Sequence, residues 1–214
     1  MKLIDMTVSE FGDEVDSNSP APGGGSVSAL SSNIGIGLAR MMAHLSFGKK
    51  SYEKLDESIR VEFVEKFNKL GDLRQVLKEL VDKDTESFNE FMKALKMPKD
   101  TPKQIEVRKG AIEDATIFSI EVPFKTAQLS LKALELVDYL IEHGNQNAIT
   151  DIGVGTLMIY TGLEGAILNV KVNLMSLKNE EMHNHYLDEC NNILLKGKKI
   201  KDELLNHIHF KLEK

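Results

Sequence analysis

The chain of 214 residues contains one cysteine, no tryptophan and five prolines. A single thiol, Cys190, cannot close an intrachain disulfide, so nothing calls for an oxidising compartment. No uncharged apolar run reaches the ~18 residues that a membrane span needs. Asp5, Glu10, Asp13 and Glu14 interrupt the N-terminus too early for a signal-peptide core. These absences lead to the expectation of a cytoplasmic protein with no membrane partner. Cationic stripes are missing as well. The 27 Lys and Arg stand against 33 Asp and Glu, a formal charge of −6, which argues against a nucleic-acid partner.

Nucleotide and metal signatures are lacking too. There is no Gly-x-x-x-x-Gly-Lys-Ser/Thr, no Gly-x-Gly-x-x-Gly after a strand and no His-Glu-x-x-His. His183/His185 and His207/His209 are two residues apart, about 200° around a helix, so neither pair can hold one metal from a regular helix.

What the sequence does have is helical periodicity almost throughout. It predicts one all-α domain, 1–214, of long packed helices in a bundle-like arrangement. Thr7-Val8-Ser9-Glu10 has the spacing of a capping box and starts a short helix that ends at the breaker cluster 18–25. Segment 26–46 is small and apolar, with Gly35 and Gly37 inside it. Segment 52–95 reads as one long helix or two, interrupted near Gly71. Thr101-Pro102-Lys103-Gln104 restarts a helix, Pro123 should kink or break it, and Gly144 should end it in a left-handed conformation. Thr150 or Asp151 can cap the next helix, 152–174, which repeats the glycine theme with Gly153, Gly155, Gly162 and Gly165. A last amphipathic helix starts near Asn179. Helices carrying Gly35, Gly37, Gly162 and Gly165 suit a self-complementary interface, hence the expectation of a homodimer.

Two features break the helical pattern. At about 100° per residue, Leu77, Leu80, Phe88 and Phe91 all fall within about 40° of Asp84, which puts a carboxylate in the middle of an apolar stripe. Such an aspartate either bonds a facing helix or does chemistry, and desolvation there raises its pKa. Asp82, beside Lys78 and Glu86, falls on a solvated face instead. On the segment 152–174, Gly162, Gly165, Asn169 and Asn173 share one face: two amides over bare backbone either hold a heteroaromatic ligand or form a ladder between helices. Gly23-Gly24-Gly25-Ser26, opening a helix, either receives an anionic group or is a flexible linker.

With these residues in place, the chain resembles the cyclodeaminase/cyclohydrolase family of tetrahydrofolate enzymes. The likeness runs through Ser19-Pro20-Ala21-Pro22-Gly23-Gly24-Gly25-Ser26, Gly48-Lys49-Lys50-Ser51-Tyr52, Leu80-Val81-Asp82-Lys83-Asp84-Thr85-Glu86-Ser87-Phe88, Glu121-Val122-Pro123, Gly144-Asn145-Gln146-Asn147-Ala148-Ile149-Thr150-Asp151 and Gly165-Ala166-Ile167-Leu168-Asn169-Val170-Lys171-Val172-Asn173. The resemblance implies an all-helical homodimer with no metal and no cofactor, a tetrahydrofolate derivative being the substrate. It places the catalytic aspartate at Asp84. It places substrate binding at Pro22, Gly23, Gly24, Gly25, Ser26, Lys49, Asn145, Asp151, Asn169 and Asn173. The anionic glutamate tail needs cations, for which Lys49, Lys50, Lys125 and Lys171 are the candidates.

Two reactions at the same carbon fit this resemblance. Cyclodeamination closes N10 onto an N5-formimino carbon and releases ammonia, whereas cyclohydrolysis opens the 5,10-methenyl bridge with water. The electrophile is a cationic amidinium, so neither requires a metal Lewis acid, and one carboxyl can shuttle the protons. The chain has no formiminotransferase segment, so a formimino substrate is expected to arrive by diffusion or from a separate formiminotransferase. The competing expectation is a non-catalytic helical dimer that binds folate or acts as a scaffold.

Overall fold

Two capping boxes set the starts of helices as the sequence predicts. In the computed structural model, which describes residues 1–213, Glu10 N donates to Thr7 Oγ1 at 3.2 Å while Thr7 N donates to Glu10 Oε2 at 2.8 Å. Thr101 and Gln104 repeat the arrangement at 3.2 and 3.0 Å, with Pro102 as the first helical residue. The helices are α1 (Val8–Val15), α2 (Gly24–His44), α3 (Lys50–Glu53), α4 (Glu57–Leu95), α5 (Pro102–His143), α6 (Ile149–Leu174) and α7 (Glu180–Leu212). Short 3₁₀ turns cover Leu3–Asp5 and Gln146–Ala148, and no strand occurs among the described residues. No helix among them is long and apolar enough to cross a membrane.

Four local expectations are corrected. Gly71 does not interrupt α4, which runs 39 residues without a break. The missing Cβ makes room for Arg40, whose guanidinium lies against Gly71, donates to the Phe67 carbonyl and sits 3.8 Å from the Phe67 ring centroid. Of the kink or break expected at Pro123, the break is excluded, since α5 continues through it for 42 residues. Gly144 is extended (φ −84°, ψ 179°) and not left-handed; a side chain there would press on the Leu140 carbonyl and Met42. Neither Thr150 nor Asp151 caps α6. Asn145 caps the 3₁₀ turn before it, accepting from Asn147 N at 3.1 Å, and α6 follows directly from that turn.

Three of the four glycines expected at a subunit interface, Gly35, Gly162 and Gly165, are taken up by packing inside the chain. Gly35 lies against Gly155 and Ile159, Gly162 against Ser28 and Ser32, and Gly165 against Ser28. As α2 numbers rise, their α6 partners fall, so the two helices are antiparallel. Bare backbone on both sides brings them close enough for serines to bond across. Ser31 Oγ donates to the Met158 carbonyl at 2.8 Å and Ser32 Oγ to the Ile159 carbonyl at 3.3 Å, while the Ser32 and Ser130 hydroxyls, 2.6 Å apart, tie α2 to α5. The same falling order relates α2 to α4: Ser26 meets Asp84, Asn33 meets Arg74, and Arg40 meets Phe67. Ile36, Phe63, Leu70, Leu77, Leu134, Ile141, Ile152, Ile159 and Leu163 are fully buried between these helices. Burial of such side chains contributes roughly 1.5–3 kcal/mol each and holds the bundle. Antiparallel packing brings the start of α2, the end of α6, the second half of α4 and the first half of α5 to one end of the molecule.

Candidate active site

At that end a cavity of about 190 Å³ opens between the four helices. Pro20, Ala21, Gly23 and Gly24 form one rim, Phe88 and Phe91 an apolar wall, and Asn169 and Asn173 the wall opposite α4. The volume is below the ~300–1,000 Å³ of pockets that enclose a whole drug-sized ligand. It suits the ring end of a larger molecule.

Asp84 is the only ionisable side chain among the described residues that line the cavity. Ser26 N donates to its Oδ2 at 2.8 Å and Ser26 Oγ at 3.2 Å. Gly25 precedes Ser26 against the carboxylate, where any Cβ would overlap the Asp84 oxygens. Burial pushes the Asp84 carboxyl above its ordinary value, and the two Ser26 bonds pull it part of the way back. The result is a half-buried carboxyl held in one orientation, with no cation among the described residues that line the cavity. A carboxyl raised above its ordinary value and held in place has the chemistry of a proton donor and acceptor.

The remaining lining is polar but neutral. Ser87, Thr116 and Ser119 hydroxyls donate to carbonyls of their own helices, those of Asp84, Ile112 and Thr116, at 2.7–2.8 Å. The Asn169 amide nitrogen donates to the Gly165 carbonyl at 2.8 Å and that of Asn173 to the Ser119 carbonyl at 2.6 Å. Thr116, Ser119, Ser87 and Ser176 are lining residues that sequence reasoning missed. A signal existed for two of them: Thr116, Ser119, Pro123, Thr126 and Ser130 follow one another at steps of three and four, a small polar stripe on an otherwise apolar helix.

Of the residues expected from sequence, Asp84, Gly23, Gly24, Asn169 and Asn173 meet at the cavity. Pro22 is buried within the rim loop, and Gly25 and Ser26 stand behind the carboxylate. Lys49, Asn145 and Asp151 lie at the opposite end of α2, whose 21 residues at about 1.5 Å each separate the ends by ~30 Å. There Lys49 is exposed at the start of α3, Asn145 bonds the Leu45 carbonyl and Ser46 hydroxyl at 3.1 and 2.8 Å, and Asp151 sits in the first turn of α6. Neither Lys50, Lys125 nor Lys171 lines the cavity; Lys171 donates to Asn191 at 3.0 Å. Asp82 is corrected as well. It is no free surface charge but accepts from Leu3 N at 2.7 Å and Ile4 N at 3.4 Å, fastening the N-terminal turn onto α4.

No group of three or more His, Cys, Asp or Glu that could hold a metal occurs among the described residues. Cys190 is fully buried, and burial pushes its thiol up to about 11, so it is a packing residue.

The chain is similar to known proteins over most of its length. The family model described as formiminotransferase-cyclodeaminase matches residues 7–192. The chain is 29% identical over 206 residues to the methenyltetrahydrofolate cyclohydrolase of Methylorubrum extorquens, covering 96% of this chain and 97% of that protein. It is 33% identical over 182 residues to the formimidoyltransferase-cyclodeaminase of Gallus gallus, covering 84% of this chain but 32% of that protein. It thus spans about a third of the length of that relative. The crystal structure of formiminotetrahydrofolate cyclodeaminase from Thermotoga maritima has the same fold, with a TM-score of 0.77 at 23% identity over 98% of this chain and 96% of that one.

Proposed function

The chain belongs to the formiminotransferase-cyclodeaminase family, and on that premise we propose that it acts on the carbon bridging N5 and N10 of a tetrahydrofolate, with Asp84 as general acid and base. The observation that carries this reading is the solitary, desolvated Asp84 carboxyl in a cavity with no cation. An anionic lining favours a cationic ring, and the methenyl bridge is a cationic amidinium. Phe88 and Phe91 offer the apolar surface on which a flat heterocycle packs.

In the hydrolytic direction, water adds to the bridge carbon while the ionised Asp84 carboxylate takes a proton from it. The product is a neutral tetrahedral carbinolamine. Asp84 then returns that proton to N5 as the carbon–N5 bond breaks. The carbinol O–H proton leaves to water, and the carbon remains on N10 as a formyl group. One proton is released overall, which balances the charge of the starting cation. A carboxyl with a raised pKa serves both halves, since it must be ionised first and protonated second. General acid–base catalysis of this kind is worth about 10²–10⁴ in rate.

Near-complete mutual coverage with the stand-alone cyclohydrolase favours water opening of the methenyl bridge as the principal activity. The 33% identity to the cyclodeaminase relative supports ammonia release from a formimino substrate as a second activity at the same site. In that reaction Asp84 protonates the departing nitrogen, and a separate formiminotransferase supplies the substrate. Lys49, Asn145 and Asp151 have no part in ring binding within one chain. The test is to follow the near-ultraviolet methenyl chromophore with each substrate in turn. Loss of the signal from methenyltetrahydrofolate supports hydrolysis; its appearance from formiminotetrahydrofolate, with ammonia, supports deamination. Silence with both overturns the reading, and binding without turnover leaves the folate-binding alternative in its place.

The active form is a homodimer in this proposal. Val154, Leu157, Leu168, Val172 and Met175 are exposed along one side of α6, and Val27, Ile34 and Leu45 along α2. Met175 is 83% and Leu168 63% exposed, and an apolar face of this extent fits a self-association surface. Light scattering should give about twice the 23.9 kDa chain mass, and a monomer would contradict it.

A further inference from the structure

Pro123 cannot donate the backbone bond that residue i owes to the carbonyl of i−4, here Ser119. Ser119 O is nevertheless bonded. Asn173 Nδ2 reaches it from α6 at 2.6 Å, across 54 positions of sequence. Because a carbonyl only accepts, the nitrogen of the Asn173 carboxamide must face Ser119. Its oxygen therefore faces the other way, and no group among the described residues donates to it. One turn earlier the Asn169 nitrogen is turned to the Gly165 carbonyl in the same manner. Both residues line the cavity, and the cavity hydroxyls of Ser87, Thr116 and Ser119 spend their protons on carbonyls. What the two carboxamides offer a ligand is a pair of oxygen acceptors, beside the second N–H of each amide and the Ser176 hydroxyl.

We propose that Pro123 is a positioning residue: by withholding an N–H from Ser119 it fixes the Asn173 carboxamide so that Asn173 and Asn169 present an oxygen pair that reads the N–H donors of the bound heterocycle. The inference rests on the folate reading above for its ligand, whose amino-pyrimidinone ring carries such donors, but the orientation of Asn173 stands independently of it. Restoring the N–H with Pro123→Ala gives Ser119 an intrahelical donor that competes with Asn173 and releases its carboxamide to rotate.

The test has two arms. In ¹⁵N spectra of protein without substrate, the Asn173 side-chain amide of wild type should exchange slowly with water, and Pro123→Ala should shift it and speed its exchange. In steady-state assays with methenyltetrahydrofolate, Pro123→Ala should raise KM by about 3- to 10-fold, the range of one lost hydrogen bond, with kcat within about twofold. The KM effect should vanish when Pro123→Ala is made in an Asn173→Ala background. A proline with only a helix-shaping role would change the melting temperature while leaving KM and the Asn173 amide untouched, and that result overturns the inference. An unshifted Asn173 amide overturns it regardless of the assay. A shifted amide in a protein whose wild type neither binds nor converts folates overturns the folate reading instead.

Discussion

The two ends of the bundle are built from the same helices and treated in opposite ways. At the far end, Phe47, Tyr52, Phe63 and Phe67 pack edge to face at centroid distances of 5.3–5.9 Å, and His44 meets Phe67 at 4.8 Å. The polar residue of the turn there, Asn145, spends its side chain on the Leu45 carbonyl and the Asn147 amide. At the near end the chain leaves a cavity, lines it with polar groups and half-buries one carboxyl. The far end is filled by packed rings, whereas the near end leaves a cavity and a carboxyl with no cation beside it, the arrangement on which the proposed chemistry rests. The polar residues that line the cavity sit within or at the ends of long helices, whereas those of the 144–148 turn do not reach it.

The largest expected effect tests the near end. Asp84→Asn keeps the size of the side chain and an acceptor for Ser26, so the fold should persist while kcat falls by ~10²–10⁴, read from methenyl absorbance. Near-wild-type turnover would remove Asp84 from the mechanism. The corresponding disruption at the far end is Phe63→Ala. Phe63 is fully buried inside the aromatic cluster, and its truncation should cost about 3–5 kcal/mol in denaturant unfolding. The KM of the protein that remains folded should not change. Smaller effects follow from the far-end polar residues. Asn145→Ala should cost ~1 kcal/mol through its lost turn bonds, and Lys49→Ala should stay within ~0.5 kcal/mol. Neither should alter KM for the ring, and a tenfold rise for either would tie the two ends together, through a second copy of the chain or otherwise.

Much of this was legible in the sequence. The capping boxes at Thr7 and Thr101 depend on residues three apart, and the phase of Asp84 against Leu77, Leu80, Phe88 and Phe91 depends on one helix, so local spacing suffices for both. What escaped depends on partners far along the chain. Asp82 looked solvated because the amides it bonds lie 78 and 79 residues away. Gly71 looked like a break because Arg40, which needs its space, belongs to another helix. Pro123 looked like a break because its compensating donor is on α6. Lys49, Asn145 and Asp151 sit in segments that carry the family resemblance. No spacing rule tells which end of an antiparallel bundle a turn will close.

The central claim is that Asp84 is desolvated and unpaired by any cation, and its sign is open to direct measurement. The fold raises the Asp84 pKa above the unfolded value of about 3.9. Its protonated form is therefore the better tolerated one, and that advantage is complete below the unfolded value and lost as pH rises through the folded one. The carboxamide of Asp84→Asn cannot titrate, so the difference in melting between wild type and this variant isolates the one group. Across about pH 4 to about pH 8, wild type should lose stability relative to the variant as pH rises, ending equal to it or below. A wild type that instead gains on the variant with rising pH would show an ionised, paired Asp84, and the account of the cavity as a cation-free proton site would be wrong.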